Sequence, residues 1–315
     1  MSLQFTDKNN FLIRLKKRKL EDVKTIKFIE KFLIEKRGYI YKKPSKLSPV
    51  ILLVSGGLDS ITCWGILMRE FKLKVFPLTL DKGEKRRRKE ESSITYFSDY
   101  YHKKFPDLYV KPFHLSTNLK EISIPIEKAE KILHGKVMLD NMNPDGSLKL
   151  NLSLGSFSLT PFYAMLYSRY LEFTKNIKIR DILCAVTKGD DVISQTFTSL
   201  RMTMMAICVF TGEYDWQFSS AIFEKERELF YSKGDLVKWG ERYGLKLEKT
   251  WSCYRNEKYQ CGTCIACIVR KKAFMEASIV DRTSYQNEVS NTIKIVNNKI
   301  NSKIQYVKNK ILTSY

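Results

Sequence analysis

Apolar positions along this chain repeat in two different periods, and the alternation between them predicts the architecture. Leu20, Val23, Ile26, Phe28, Phe32 and Leu33 suggest an amphipathic helix of several turns, with Gly38 as its stop. An unbroken apolar run follows, Val50-Ile51-Leu52-Leu53-Val54, the pattern of a strand covered on both faces. Ile61, Trp64, Met68 and Phe71 then fall on one helical face over 58–71. Residues 73–80 read as a second strand ending at Asp81, 82–102 as a basic, helix-compatible run, and 109–115 as a third strand. A helix over 161–173 and a fourth strand over 181–186 continue the alternation. Strands alternating with helices predict an α/β fold with a doubly wound parallel sheet. Such sheets bind ligands at the carboxyl ends of their strands. Residues 117–160 are weakly patterned, with a turn at Met142-Asn143-Pro144-Asp145-Gly146. The tail from 284 is polar and rich in Lys and Asn.

Chemistry enters between the first strand and its helix, at Ser55-Gly56-Gly57-Leu58-Asp59-Ser60. A strand, a glycine turn and a helix start make an anion site, because unpaired N–H groups and the helix dipole point outward there. Two glycines let backbone approach a phosphate closely. Ser55 and Ser60 add hydroxyl donors, and Asp59 can hold a magnesium ion against the phosphates. The segment is neither a Walker A loop nor a dinucleotide G-x-G-x-x-G. A plain strand-to-helix turn rich in Gly and Ser is the competing explanation.

Composition narrows the class. A chain of 315 residues with 43% hydrophobic and 28% charged residues can bury one large α/β core with extensions. No apolar run reaches membrane-span length and the start lacks a signal-peptide core, so a cytoplasmic location without membrane contact is expected. The net charge of +21 admits a polyanion partner such as nucleic acid. The excess is spread rather than confined to a stripe, as an AT-rich coding sequence also produces, and both explanations stand.

Seven cysteines include Cys253, Cys261, Cys264 and Cys267, spaced C-x7-C-x2-C-x2-C. Four thiolates at this spacing suit a structural tetrahedral zinc with no position left for substrate. An iron–sulfur cluster is the alternative. Cys63, Cys184 and Cys208 lie in apolar contexts and read as core.

The loop resembles the SGGxDS loop of the PP-loop ATP pyrophosphatases, which cleave ATP to AMP and pyrophosphate. Loop and cysteines together resemble the QueC family, the 7-cyano-7-deazaguanine synthases. Thr250-Trp251-Ser252-Cys253 and the run from Cys261-Gly262-Thr263-Cys264 through Cys267 and Arg270 to Ala273-Phe274 are similar to that family's ending. Asp81-Lys82-Gly83-Glu84 and Ser232-Lys233-Gly234-Asp235-Leu236 are weaker echoes. The likeness spans roughly residues 49–275. It implies a PP-loop, adenine-nucleotide alpha-hydrolase-like domain over 49–283 with a zinc knuckle at 253–267, an N-terminal extension over 1–48 and a polar tail over 284–315.

The resemblance implies a ligase or synthase that adenylates a carboxylate, 7-carboxy-7-deazaguanine or a relative, and then forms an amide, a nitrile or an amine conjugate. ATP, Mg2+ and Zn2+ are the implied cofactors, and ammonia or a protein amine the implied donor. Ser55, Gly56, Gly57, Leu58, Asp59 and Ser60 would hold the β,γ-phosphates, with Asp81 near the nucleotide. Asp59, Ser60 and Lys233 would carry the chemistry, Lys233 by steadying negative charge on the phosphates or the acyl adenylate; a solvated helix-start lysine is the other explanation for it. The acceptor side departs from the family. Leu154-Gly155-Ser156-Phe157 stands near the place of P-G-R-N, and 194–201 in the region of Y-P-D-C-R, leaving only Arg201. Asp190 and Asp191 are candidates for an acidic contact to a guanine-like edge, with a surface turn as the alternative. QueC-like proteins also occur in antiphage defence clusters, and this altered acceptor region with added termini is compatible with such a specialised member. A tRNA-modifying PP-loop enzyme and a non-catalytic nucleotide-binding partner subunit are the alternatives; the N-terminal helix could cap the core, dimerise or dock a partner.

Overall fold

The structure, a computed structural model, describes residues 5–81, 86–117, 124–125, 147–148, 156–190 and 192–286. The expectations placed on 82–85, 142–146, 154–155, Asp191 and the tail beyond 286 lie outside the described residues.

Strands β1 (Pro49–Leu53), β2 (Lys74–Asp81), β3 (Phe113–Ser116), β6 (Asp181–Cys184) and β7 (Gln217–Ser220) form one parallel sheet in the order β3-β2-β1-β6-β7. The chain therefore winds outward from β1 to β3, then crosses back to lay β6 on β1's other side, with Ile51 opposite Ile182. That reversal opens a crevice at the carboxyl ends of β1 and β6. Two small antiparallel pairs complete the strands, β4 (Ile124–Pro125) with β5 (Ser147–Leu148), and β8 (Phe223–Glu224) with β9 (Leu229–Phe230).

β1 shows why an unbroken apolar run was needed. Val50 and Leu52 pack into the core on one sheet face, Ile51 and Leu53 into the core on the other. Helices α3 (Leu58–Arg69), α4 (Arg87–Lys104), α7 (Lys233–Arg242) and α8 (Ile265–Ala277) cover the first face. The second is covered by α1 (Lys8–Lys16), α2 (Val23–Arg37), α5 (Ser156–Lys175) and α6 (Phe197–Thr211).

The N-terminal helix forms over Val23–Arg37, capped by the Asp22 carboxylate and ended by Gly38 at φ 79°, a left-handed conformation glycine tolerates. Its buried face is Ile26, Ile29, Glu30 and Leu33, while Phe28 is 65% exposed. A charged Glu30 sits inside because Arg201 and Lys225 meet it there. The shorter α1 precedes it and buries Phe11 and Leu15 in the same core. Burying each such side chain contributes roughly 1.5–3 kcal/mol.

Strand β7 was not predicted. Its sequence, Gln-Phe-Ser-Ser, looks like a loop, yet all four residues are buried. They are tolerated because each polar side chain finds a partner. The Gln217 amide donates to the Lys42 carbonyl and to Asp181, Ser219 donates to Glu224, and Ser220 donates to the Val186 carbonyl. α5 begins earlier than predicted, at Ser156, with Pro161 inside it. β3 is shorter than predicted, with Tyr109 joined to Val75 by a single bridge.

Candidate nucleotide site and four-cysteine centre

The Ser55–Ser60 loop lies at the carboxyl end of β1, beside the crevice. Ser60 Oγ accepts from the Ser55 N–H at 3.1 Å and donates to the Gly57 carbonyl at 3.3 Å, closing the turn on itself. Gly56 takes φ +76°, and a Cβ there would stand 2.6 Å from the Glu90 carbonyl oxygen of α4. Gly57 is the residue before α3, which starts with no side-chain cap. The first N–H groups of α3 therefore have no side-chain cap. Two neighbours fix the loop from behind: the Trp251 N–H and the Ser93 hydroxyl both donate to the Gly56 carbonyl, at 3.0 and 2.7 Å.

Asp59, in the first turn of α3, is half-buried. One carboxylate oxygen takes the Lys233 ammonium; the other, Oδ1, is buried with no hydrogen-bond partner. Burial raises its pKa, offset in part by Lys233 and reinforced by Asp190. An orphaned buried carboxylate oxygen beside a phosphate-type loop fits a hard divalent cation.

Lys233 arrives from the start of α7, where Ser232 and Asp235 form a reciprocal capping box, a signal that Ser-x-x-Asp before an apolar helix face carries in the sequence. Its ammonium reaches Asp59 and, at 2.8 Å, Asp190. Burial alone would lower its pKa, but the two carboxylates outweigh it and the group is held firmly protonated. Asp190 belongs to the turn after β6, where its carboxylate also accepts from the Thr187 N–H at 2.7 Å and hydroxyl at 3.0 Å. Loop, lysine and turn therefore meet at the crevice between β1 and β6. Asp81 lies at the same edge of the sheet, opposite Ser116.

Arg201 corrects the expectation of an acceptor contact. Its side chain is fully buried, bidentate to Glu224 at 2.8 and 2.6 Å, with its Nε on Glu30 at 3.2 Å. No face is left for a substrate. Two residues the sequence did not flag, Arg18 and Glu21, reach the same region, together with Trp251, which it had named only as part of the family-like ending. Arg18 donates to the Asp190 carbonyl at 2.5 Å. Glu21 accepts from the first N–H groups of α6, and Trp251 from before the knuckle holds Gly56. Nothing local in the sequence marks these long-range contacts.

The four predicted thiols converge. All four Sγ atoms lie within 4.8 Å of one another, with separations of 3.9, 3.9 and 3.5 Å for Cys261–Cys267, Cys253–Cys264 and Cys264–Cys267. Thiolates about 2.3 Å from one tetrahedral ion stand roughly 3.8 Å apart. The set therefore fits a single metal ion. A cubane cluster, in which each thiolate takes a different iron, needs its sulfurs farther out. Backbone N–H groups of Arg255 and Cys261 point at the Cys253 sulfur, each at 3.3 Å, and that of Cys264 at the Cys261 sulfur at 3.2 Å, offsetting thiolate charge. Cys63, Cys184 and Cys208 are buried in the core as expected.

Fold and site together define an α/β protein with one parallel sheet, a glycine-rich turn at the carboxyl end of β1 and a four-cysteine knuckle joined to that turn through Trp251. The family model for the queuosine biosynthesis protein QueC matches residues 164–278. A 7-cyano-7-deazaguanine synthase of Picrophilus torridus is 25% identical over 251 residues, 76% of this chain and 93% of that protein. One of Desulfitobacterium hafniense is 26% identical over 243 residues, 77% and 95% respectively. The U34-tRNA thiolase NcsA from Methanococcus maripaludis, solved with its [4Fe-4S] cluster, covers 79% of this chain and 71% of its own at 13% identity and a TM-score of 0.35, too slight a likeness to carry an argument. The chain is QueC-like, and divergent.

Proposed function

We propose that this protein uses ATP to adenylate a carboxylate, and that the acid is 7-carboxy-7-deazaguanine or a close relative. The observation that carries the reading is the junction of Asp59, Lys233 and Asp190 beside the uncapped start of α3. A carboxylate is a poor electrophile. Its oxygen attacks the α-phosphorus of ATP, the bond to the bridging oxygen breaks, and pyrophosphate leaves. An amine nitrogen then attacks the acyl carbon and AMP departs. Ammonia or a protein amine is the donor, and the product is an amide, a nitrile after a second activation, or a conjugate.

The Ser55–Ser60 loop holds the β- and γ-phosphates through its backbone and hydroxyls. Asp59, with its unpartnered buried oxygen, is the ligand for Mg2+, which supplies charge neutralisation for the departing pyrophosphate. Lys233 turns its fixed positive charge toward the phosphates or the acyl phosphate oxygens. The four cysteines hold a structural zinc ion. Support for the substrate class is the naming of the relatives as 7-cyano-7-deazaguanine synthases.

The test is pyrophosphate release from ATP and magnesium with 7-carboxy-7-deazaguanine, offered ammonia or amine-bearing proteins in turn. Release that depends on the acid supports the reading. No release in any mixture overturns the deazaguanine substrate, and ATP binding without turnover would indicate a nucleotide-binding subunit instead. Stoichiometric zinc without iron argues against a cluster-dependent tRNA thiolase.

A further inference from the structure

Two charged side chains from the chain before β1 grip the segment after β6 at both ends. At one end Arg18 Nη2 donates to the Asp190 main-chain oxygen, while the same guanidinium lies 5.3 Å from the centre of the Phe223 ring. At the other end the fully buried Glu21 carboxylate accepts from the Phe197 and Thr198 N–H groups and the Thr198 hydroxyl, each at 2.9 Å. Arg18 and Glu21 are themselves paired at 3.0 Å, so one clamp holds Asp190 on one side and Phe197 and Thr198 on the other.

The clamp is anchored. Phe11 of α1 packs against Phe197, Phe223 and Phe230 with ring centroids 5.0, 5.3 and 5.0 Å apart. The Asp22 N–H reaches the Thr198 hydroxyl at 2.9 Å, and the Thr6 N–H reaches the Glu228 carbonyl at 2.7 Å. A two-residue clamp joined to an aromatic cluster exceeds what capping the core requires. Its grip ends on the residue whose carboxylate holds Lys233.

We propose that Arg18 and Glu21 are positioning residues for the acceptor side of the site: they fix the Asp190–Thr198 segment and with it the placement of the acid to be activated. The proposal rests on the carboxylate-activation reading above. Arg18 touches the Asp190 backbone rather than its carboxylate, so it acts first on where the turn stands and reaches the Ser55–Ser60 loop only at second hand, through Lys233. The N-terminal helices thereby form a wall of the acceptor site, supplied from outside the family-like part of the chain.

The test compares Arg18→Ala and Arg18→Lys with the wild-type protein in two measurements. In pyrophosphate release, Arg18→Ala is expected to raise the KM for the acid roughly tenfold or more, the loss of one charge-assisted hydrogen bond. KM for ATP, which Arg18 reaches only through Asp190 and Lys233, should rise by much less than KM for the acid. Arg18→Lys, which keeps a charged donor, recovers part of the difference. In hydrogen exchange without substrates, residues 187–200 should exchange faster in Arg18→Ala, with the Ser55–Ser60 loop unchanged. Unchanged exchange over 187–200 overturns the clamp. Faster exchange with both KM values intact and only kcat reduced makes Arg18 a structural residue and overturns its positioning role. If wild-type protein releases no pyrophosphate with any acid offered, the activation reading fails on its own; the clamp is then judged on exchange, which needs no acceptor.

Discussion

The two segments that flank the crevice are held in opposite ways. The loop after β1 is built almost entirely from its own backbone and hydroxyls, with Gly56 pressed against α4 and its carbonyl held by Trp251 and Ser93. The stretch after β6 makes some local turn contacts, but it is set from a distance, by Arg18 and Glu21 from the N-terminal helices and by Lys233 from α7. The C-terminal part of the chain thus braces the phosphate side, and the N-terminal part braces the other. A backbone cradle recognises phosphate whatever molecule carries it. A segment held by long side chains can be re-aimed by changing the props, without touching the cradle. On the proposed function, that division would let the acceptor change while the use of ATP is kept.

Five perturbations separate the two braces, beginning with the most damaging. Replacing Cys264 by Ser should abolish stoichiometric metal binding, measured by elemental analysis, and remove metal-dependent folding energy on the order of 10 kcal/mol. Because the Trp251 N–H holds Gly56, ATP affinity should fall with the metal; ATP affinity unchanged after metal loss would mean that the knuckle does not brace the loop.

Arg201→Met should cost about 3–5 kcal/mol of stability in denaturant unfolding, since Glu224 and Glu30 would stay buried without their partner. A loss below about 1 kcal/mol would contradict that network's role in holding α6 against α2 and β8.

Asp59→Ala should reduce pyrophosphate release by about a hundredfold or more with little change in melting temperature. Retained turnover would place the phosphate site elsewhere. Gly56→Ala should cost roughly 1–2 kcal/mol from the left-handed backbone alone, and more from the Glu90 contact, read as a lowered Tm.

Asp181 supplies the mildest test. Its pKa is raised by burial to about 7, with the Arg227 charge and hydrogen bonds from Tyr41 and Gln217 opposing the rise. A carboxyl whose folded pKa exceeds its unfolded value binds more protons when folded. Its contribution is most favourable below the ordinary aspartate range and is lost as pH rises toward 7. Asp181→Asn should therefore gain on the wild type in Tm between pH 5 and pH 8. A constant difference across that range would show that Asp181 does not titrate in the fold.

The glycine turn before α3 and the cysteine knuckle were legible because their determinants are local. Glycines, serines and a helix start lie within six positions, and four thiols lie within fifteen. The strands with apolar runs were equally plain. β7 was not, since Gln217, Ser219 and Ser220 are buried only by virtue of partners scattered from Lys42 to Glu224. Arg201 misled for the related reason that a lone arginine in sequence gives no sign of the two carboxylates that enclose it. The amphipathic N-terminal helix was visible, but its buried Glu30 and the reach of Arg18 depend on tertiary neighbours. Local spacing carries a backbone site; it does not carry a site whose walls come from opposite ends of the chain.

The neighbouring placement of β1 and β6 also bears on how the protein is made. Ile51 meets Ile182 only after the whole β2–β3 arm has been synthesised, and long-range parallel pairing is slow to form. Phe11, Leu15, Ile26 and Ile29 are made well before the aromatic and aliphatic surfaces that cover them, which come from α6, β7 and the β8–β9 hairpin. That apolar face of the nascent chain must therefore wait, uncovered, for residues far downstream, and is exposed to misassembly until they arrive.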